Sequence, residues 1–577
     1  MRVIVTAGHV DHGKSTLVRA LTGMEPDRLE EERRRGLSIR LGYVWTTLDD
    51  VGEVAFVDVP GHERFVATAL SGLGPVPVVL FVVAADDPWM PQAAEHLAAL
   101  DALGVDRGVL AVTRADLADP GPALERARHE LDRTSLAGLA SVVVSGRTGD
   151  GLPELRGALA DVLRTVPAPD PEGDVRLWVD RRFHVRGTGT VVTGTLPSGT
   201  IRAGDELVAD GTSVRVRGVE ALGSARDAVS GPARVALDLG GKAPATVRAG
   251  TALCSPAAFR ATDVVDVRLV SGTDVRMPER PQLHVGGAST AVHARPLADD
   301  LVRLTLDEPL PLRVGDRALV RDPGSRDLWG IRVLDPAPPA LRRRGAAAAR
   351  AHELEAADGS TASEVERRGL VRVSLLRRIG VPPAPVPDGT VAVGDWLLSP
   401  ARAGRAREEL ARLAQAPGDV PGVPVGAAAR ALDLPVELVP ALVTAPLRLE
   451  SGRVLPERER ELPAHLETAA RRLAEDLARE PFAAPDGNRL RELGLDNRGL
   501  ATLAATGHLL RLDDAVVLLP GADEAAAEVL AALPQPFTAS QARTALGTSR
   551  RVVLPLLAHL DRTHRTLRLP DDTRRIR

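Results

Sequence analysis

The stretch Gly8-His-Val-Asp-His-Gly-Lys-Ser-Thr16 follows the apolar run RVIVTA and opens a segment with helical periodicity. It satisfies G-x-x-x-x-G-K-[ST] at Gly8, Gly13, Lys14 and Ser15, in the strand–loop–helix context that this motif requires. Glycines there let backbone N–H groups turn inward around phosphates, and the helix N-terminus adds favourable partial charge. Asp11, His12 and Thr16 complete the loop. Lys14 shares the chain with one other lysine, Lys242, although Lys and Arg together number 73. A compact ammonium seats between β- and γ-phosphates, where a planar guanidinium has the wrong shape. Ser15 offers a hydroxyl to Mg²⁺. This stretch predicts a nucleoside-triphosphate site.

The surrounding pattern fits that site. RVIVTA, VAFVDV, VVLFVVAA, GVLAVT and SVVVS read as buried parallel strands separated by helical segments, the mark of a doubly wound α/β domain. A proline-rich linker, VPAPDPEGD, closes it, giving a nucleotide domain over 1–172. Short β-type runs cut by glycine turns then predict two small β-barrels, over 173–257 and 258–340. From 341 to 577 the chain is helical and alanine-rich with recurring hairpins. That region predicts a tandem array of four winged-helix modules, the last over about 530–577.

Bulk properties set limits. A length of 577 residues suits several domains of ~100–200 residues each. The formal charge of −4 makes any nucleic-acid-binding surface a local feature. A single cysteine, Cys254, excludes internal disulfides. No apolar run reaches the ~18 residues of a membrane span, and no signal peptide is recognised. A soluble, cytoplasmic monomer without membrane contact is expected.

Asp58-Val-Pro-Gly61-His62 ends the strand VAFVDV. An aspartate there can hold a water of a Mg²⁺ shell, and Gly61 can sense a γ-phosphate through its N–H. With GHVDHGKST, DVPGH and ADDPWMPQAAEH (Ala85–His96), the chain resembles translational GTPases of the elongation factor Tu class. The resemblance implies that GTP is hydrolysed to GDP, that His62 orients the attacking water, and that Val10 and Leu37 flank it as an apolar gate. The family's RGITI switch motif appears as Arg35-Gly-Leu-Ser-Ile39, so Ser38 inherits the Mg²⁺-ligating hydroxyl. The base-reading NKxD appears as Thr113-Arg114-Ala115-Asp116. Asp116 can accept two hydrogen bonds from guanine. Thr113 lacks the amide that braces the loop, and Arg114 must cover the base with its own plane. Ser145, Gly146 and Arg147, in SVVVSGRTG, resemble the last guanine-contacting turn. A threonine at the first NKxD position resembles the SelB family of selenocysteine-specific elongation factors.

The run LWVDRRFHVRGTGTVVTGT (Leu177–Thr195) resembles the opening of that family's second domain. Arg181 and Arg234, in an arginine-rich chain, would otherwise read as barrel-surface side chains. The resemblance implies that Asp180, Arg181 and Arg234 line an aminoacyl pocket. A selenol is far more acidic than a hydroxyl, so a cationic pocket separates selenocysteine from serine on one tRNA. The histidine sought near Arg217-Gly-Val-Glu220 is absent.

The last module reads FTASQARTALGTSRR (Phe537–Arg551), a helix, a turn at Gly547, a second helix and then a wing. Phe537 to Arg577 holds nine arginines against Asp561, Asp571 and Asp572, a composition suited to a phosphate backbone. The resemblance implies that this module grips an mRNA hairpin marking UGA for selenocysteine. Arg550 and Arg551 are the expected phosphate contacts, with Gln541 and Arg543 beside them. The partners implied are selenocysteyl-tRNA, the mRNA hairpin and the ribosome, with GTP/GDP and Mg²⁺ as cofactors. Two other readings stay open from the residues: a general aminoacyl-tRNA carrier or initiation-type GTPase, and a DNA-binding winged-helix regulator with a GTP switch.

Overall fold

The computed structural model describes residues 1–26, 40–60, 68–69, 72, 77–87, 89–168, 170–187, 189–240, 247–272, 275–325, 327–416, 422–456 and 464–577. They divide into two compact units, one of residues 1–412 with 425–443, the other of residues 413–424 with 444–577.

The first unit begins with six strands: β1 (Arg2–Ala7), β2 (Gly42–Leu48), β3 (Gly52–Asp58), β4 (Val78–Ala84), β5 (Gly108–Thr113) and β6 (Ala140–Val143). Their sheet order is β2-β3-β1-β4-β5-β6, parallel except for the β2–β3 hairpin. Alternate residues feed two cores. Val3, Val5, Phe81 and Val83 point to one face, while Ile4, Phe56, Leu80 and Val82 point to the other. Two buried faces explain why β1, β3, β4 and β5 read as unbroken apolar runs, whereas β6, expected to be buried, lies at the sheet edge and none of its four residues is buried. Strand β2 differs: it sits at the sheet edge with a mixed burial pattern, so GYVWTTL carries no such run. The carboxyl ends of β1, β3, β4 and β5 converge on the loop that follows β1, the usual ligand crevice of an open α/β sheet.

Two barrels follow. In the first, seven strands form one sheet, and an additional pairing of Glu206–Ala209 with Thr212–Ala221 closes six of them into a ring. The second is a closed barrel of six strands between Thr262 and Asp335. The helix Pro91–Leu103 of the nucleotide domain packs on this second barrel. A Cβ placed on Gly330 would stand 2.6 Å from the Ala102 methyl, so only glycine permits that approach. The barrels meet at Trp178, whose ring fills space that a side chain on Gly286 would occupy.

The helical region repeats one order of elements four times along the chain. The helices run 346–355, 361–368 and 373–378; 400–415, 425–432 and 439–442; 464–479, 487–492 and 497–505; then 522–531, 539–545 and 550–562. A hairpin closes each set, at 391–398, 447–456, 510–518 and 566–576. The chain is thus a P-loop α/β domain, two β-barrels and a winged-helix array. In the first unit a buried ionic cluster joins the second barrel to the first two helices of the array. Asp266, Asp335 and Glu364 are fully buried and are met by Arg303, Arg350, Arg367 and Arg368 at 2.5–2.9 Å. The second unit has its own core, from Leu466 and Leu473 through Phe537 to Leu560. Among the described residues no helix is long and apolar enough to cross a membrane.

Candidate functional site

The loop after β1 is built by backbone constraint. Gly8 has φ +131°, and a Cβ there would lie 2.1 Å from the Val82 carbonyl oxygen on β4. Gly13, at φ +81°, starts the helix Lys14–Thr22. Asp11 also takes a positive φ, of 62°. Lys14 is buried, and its Nζ donates to the carbonyls of Gly8 and His9 at 3.1 and 2.7 Å. The ammonium is therefore held in the mouth of its own loop.

At the end of β3, Asp58 is fully buried and accepts from Thr6 Oγ1 and Ser15 Oγ, each at 2.6 Å. Burial raises its pKa, and Lys14 and the two hydroxyls oppose that rise. An adjacent carboxylate and hydroxyl form an all-oxygen donor pair that fits a hard dication completing its shell with phosphates and water. Thr6, absent from the sequence reading, also accepts from the Val59 N–H at 3.2 Å, which fixes the turn after β3.

Two histidines frame the loop. His96, from the helix Pro91–Leu103, is buried and accepts the Gly8 N–H through Nδ1 at 3.1 Å. Its pKa falls to about 3, chiefly by desolvation with Lys14 assisting. His12 is buried against the edge of His9 at 5.0 Å, with Nε2 3.3 Å from Asp87; desolvation and then His9 lower its pKa to about 4. Both rings are neutral at neutral pH, so Lys14 is the cation of this pocket floor.

The base-reading residues are also assembled. Thr113, ending β5, donates its hydroxyl to the His12 carbonyl at 2.7 Å, with the Val83 carbonyl at 3.2 Å. The brace that an asparagine amide would supply is thus supplied by a hydroxyl. Arg114, at φ 55°, places Nη1 3.1 Å from both carboxylate oxygens of Asp86 and donates from Nη2 to the Asp11 carbonyl. Asp116 is exposed, and its Oδ1 accepts from Ser145 Oγ at 2.7 Å. Ser145 is buried and also accepts from the N–H groups of Arg147 and Thr148 at 3.3 and 3.1 Å. Gly146 lies against Thr16, where a Cβ would stand 3.5 Å from the threonine methyl. Phosphate loop and base turn are therefore one packed assembly. Gly61, His62, Ser38 and Leu37 lie outside the described residues; Val10 is half-buried in the loop.

Asp180, Arg181 and Arg234 come together in the first barrel. The strand Arg176–Val185 carries Asp180 and Arg181, and its neighbour Gly189–Leu196 pairs with Ala233–Gly240, which carries Arg234. Arg234 is buried and grips both oxygens of Asp180, with Nη2 at 2.8 Å from Oδ1. Thr193 donates to the same carboxylate at 2.7 Å. A fourth member comes from the nucleotide domain: Tyr43, on β2, hydrogen-bonds Asp180 at 3.3 Å. Its ring lies under Arg234 at 3.7 Å and Arg181 at 4.5 Å. Burial drives the Tyr43 pKa upward, so the phenol keeps its proton and donates. Asp180 satisfies Arg234, while Arg181 Nε stands 3.6 Å from it, leaving Arg181 as the more available cation. A cavity of about 470 Å³ opens beside this cluster, bounded by Arg40, Thr68, Arg181, Phe183 and His284. Tyr43 was missed by the sequence reading, yet it carried a signal: it is the chain's single tyrosine, just after the switch motif.

In the last module, two of the four expected RNA contacts have other work. Arg551 donates to the carbonyls of Ala484, Pro485 and Ala515. Gln541 closes a capping box with Thr538 at the head of the helix Ala539–Ala545. Arg543 and Arg550 are exposed and have no acidic partner among the described residues. The same holds for Arg575 and Arg577 on the wing, which the sequence reading did not single out.

Comparison with known proteins adds three domain matches. Residues 1–165 match the elongation factor Tu GTP binding domain, 262–340 the β-barrel domain of selenocysteine-specific elongation factor, and 528–575 the winged helix of elongation factor SelB. The chain is 36% identical over 361 residues to the selenocysteine-specific elongation factor of Desulfomicrobium baculatum, covering 59% of this chain and 57% of that protein. It is 36% identical over 350 residues to that of Escherichia coli, covering 59% and 56%. The matched region is thus little more than half the length of these curated relatives. Translation initiation factor 2 subunit gamma of Methanocaldococcus jannaschii is 35% identical over a shorter 234 residues, 35% of this chain and 57% of that protein. Among solved structures, a bacterial selenocysteine-specific elongation factor EF-Sec covers 100% of both chains with TM-score 0.70 and 24% identity. Elongation factor SelB from Methanococcus maripaludis, bound to a GTP analogue, aligns over 59% of this chain and 79% of that one with TM-score 0.52 and 22% identity. At those identities the likeness is one of fold.

Proposed function

We propose that the chain is a translational GTPase of the elongation factor Tu class, within the selenocysteine-specific elongation factors, and that it carries selenocysteyl-tRNA to the ribosome in a GTP-dependent cycle. The observation that carries this reading is the Tyr43–Asp180–Arg181–Arg234 cluster, which joins the strand after the nucleotide switch to the barrel expected to hold the aminoacyl end. An ionised selenol gains from Arg181 and Arg234, whereas a serine hydroxyl does not. Asp180 holds Arg234 in place, so the pocket does not carry two unpaired cations.

At the nucleotide, Lys14 exchanges loop carbonyls for phosphate oxygens, and the N–H groups of residues 11–16 surround them. Asp116 reads guanine with the oxygen that Ser145 leaves open, and Arg114 covers the base. Ser15 and Ser38 would hold Mg²⁺ directly, and Asp58 through water, and the ion would neutralise charge on the phosphates. Gly61 senses the γ-phosphate, and His62 orients the water that attacks it, so hydrolysis awaits the contacts that the ribosome supplies. The working division remains 1–172, 173–257, 258–340 and 341–577. The final module grips the mRNA hairpin at UGA, with Arg543 and Arg550 on the phosphates.

The test compares GTP-dependent binding of selenocysteyl-tRNA with that of the same tRNA carrying serine. Tight binding of the first alone is expected. Equal affinities would remove the selenocysteine assignment while leaving the GTPase intact.

A further inference from the structure

A groove of about 660 Å³ lies in the first unit, between the hairpin at 391–398 and the helix Val425–Leu432. Its walls include Leu370, Trp396, Ala429, Pro435 and Val436, with Arg402 and Arg430 along the rim. Val436 is 49% exposed, so the groove offers apolar surface to solvent. Trp396 takes no part in the nearby core of Val365, Val371, Leu376, Ile379, Val381 and Leu397. Aromatic residues make up only 2% of this chain, so a tryptophan placed outside a core is a specific expenditure of a scarce side chain.

Aromatic and basic side chains cluster at the groove, with Asp433 as the acidic member of its lining. Arg372 pairs in register with Trp396 across the hairpin sheet and lies over its ring at 4.4 Å. Arg402 donates to the Asp433 carbonyl at 2.9 Å, and its guanidinium is 3.8 Å from that residue's exposed carboxylate. Arg430 is exposed and has no acidic partner among the described residues. An indole stacked with a guanidinium, beside further arginines, is the surface on which unpaired bases stack while phosphates meet cations.

We propose that this groove binds a single-stranded RNA segment, one base stacking on the Trp396–Arg372 pair and the adjoining phosphate meeting Arg430. It is a second RNA contact, separate in sequence from the last module, and its RNA class rests on the proposed role in translation. A peptide is the competing occupant.

The experiment measures binding of a labelled oligouridine to the full chain carrying Arg543→Glu and Arg550→Glu, which silences the final module. Saturable binding with quenching of tryptophan fluorescence is expected. Trp396→Leu should weaken it by about 5- to 100-fold, the worth of one stacked base, and Trp396→Phe should recover most of the loss. Arg430→Glu should weaken it further and flatten its salt dependence. Undiminished binding in Trp396→Leu overturns the proposal, as does equal loss in Trp396→Phe with an unchanged melting temperature. Binding of an uncharged peptide mixture in place of oligouridine also overturns it. Selenocysteyl-tRNA binding in the presence of GTP should be untouched by Trp396→Leu, so failure of the groove is distinct from failure of the proposed function.

Discussion

Thr113, at the carboxyl end of β5, donates its hydroxyl to the main-chain oxygen of His12 in the phosphate loop, 2.7 Å away. One short bond therefore ties base recognition to phosphate recognition. A Thr113→Val substitution keeps the shape and removes the donor, stranding a buried carbonyl at a cost of about 1–3 kcal/mol. GTP and GDP affinities are both expected to fall by about 30-fold, the middle of that range. Fluorescent-nucleotide titration checks this, and unchanged affinity would show that the loop is held elsewhere.

Arg114 is expected to set the rate of nucleotide release. Its guanidinium is already committed to Asp86 and the Asp11 carbonyl, in a backbone conformation that a non-glycine residue adopts at some cost. Covering the base must share that commitment. GDP release is accordingly expected to be rapid without an exchange factor, as stopped-flow displacement would show. Arg114→Lys, which cannot make the two-pronged contact, should speed release further. A slow wild-type off-rate would contradict this account.

These two residues also mark where the sequence was legible. GHVDHGKST, DVPGH and the continuous apolar strands revealed the phosphate loop and the α/β sheet, because burial on both faces forces that pattern. Strand β2 escaped notice, since an edge strand alternates and mixes polar with apolar positions. Thr113's partner was invisible because it is a carbonyl, which every residue carries. Tyr43 belongs with Asp180 across 137 positions and two domains, so no local spacing links them. The fates of Arg551 and Gln541 show the converse. The motif located them correctly on helix starts, but the packing between modules and a capping box use their side chains.

Asp180 supports the aminoacyl pocket by holding Arg234, and the two side chains are 10% and 9% exposed. Asp180→Asn leaves a buried guanidinium without its counter-charge, which costs about 3–5 kcal/mol when a buried pair is broken. A lower melting temperature is expected, together with loss of preference for selenocysteyl- over seryl-tRNA. Tyr43→Phe removes one hydrogen bond but keeps the ring beneath both arginines. It should therefore preserve the fold and weaken tRNA binding only a few-fold, about 1 kcal/mol. Equal tRNA preference in Asp180→Asn and wild type would exclude the cluster from recognition.

Asp335 governs the acid limit of the join between the second barrel and the helical array. Its carboxylate meets Arg350, Arg367 and Arg368 at 2.5–2.7 Å, and the Ala337 N–H donates to it at 2.8 Å. Desolvation pushes its pKa up, but the three guanidiniums outweigh it and bring the value down to about 2, from 3.8. The folded state thus releases this proton more readily than the unfolded chain does. Linkage then makes the contribution complete above about pH 4 and lost as pH falls towards 2, with a size of about 2 kcal/mol. Asp335→Asn should abolish that portion of the acid transition. At neutral pH it should also lower stability by several kcal/mol, since four arginines would face only Asp266 and Glu364. Chemical denaturation of both proteins from pH 2.5 to 7 measures the difference. Parallel stability curves would mean that the cluster is held together without Asp335's charge.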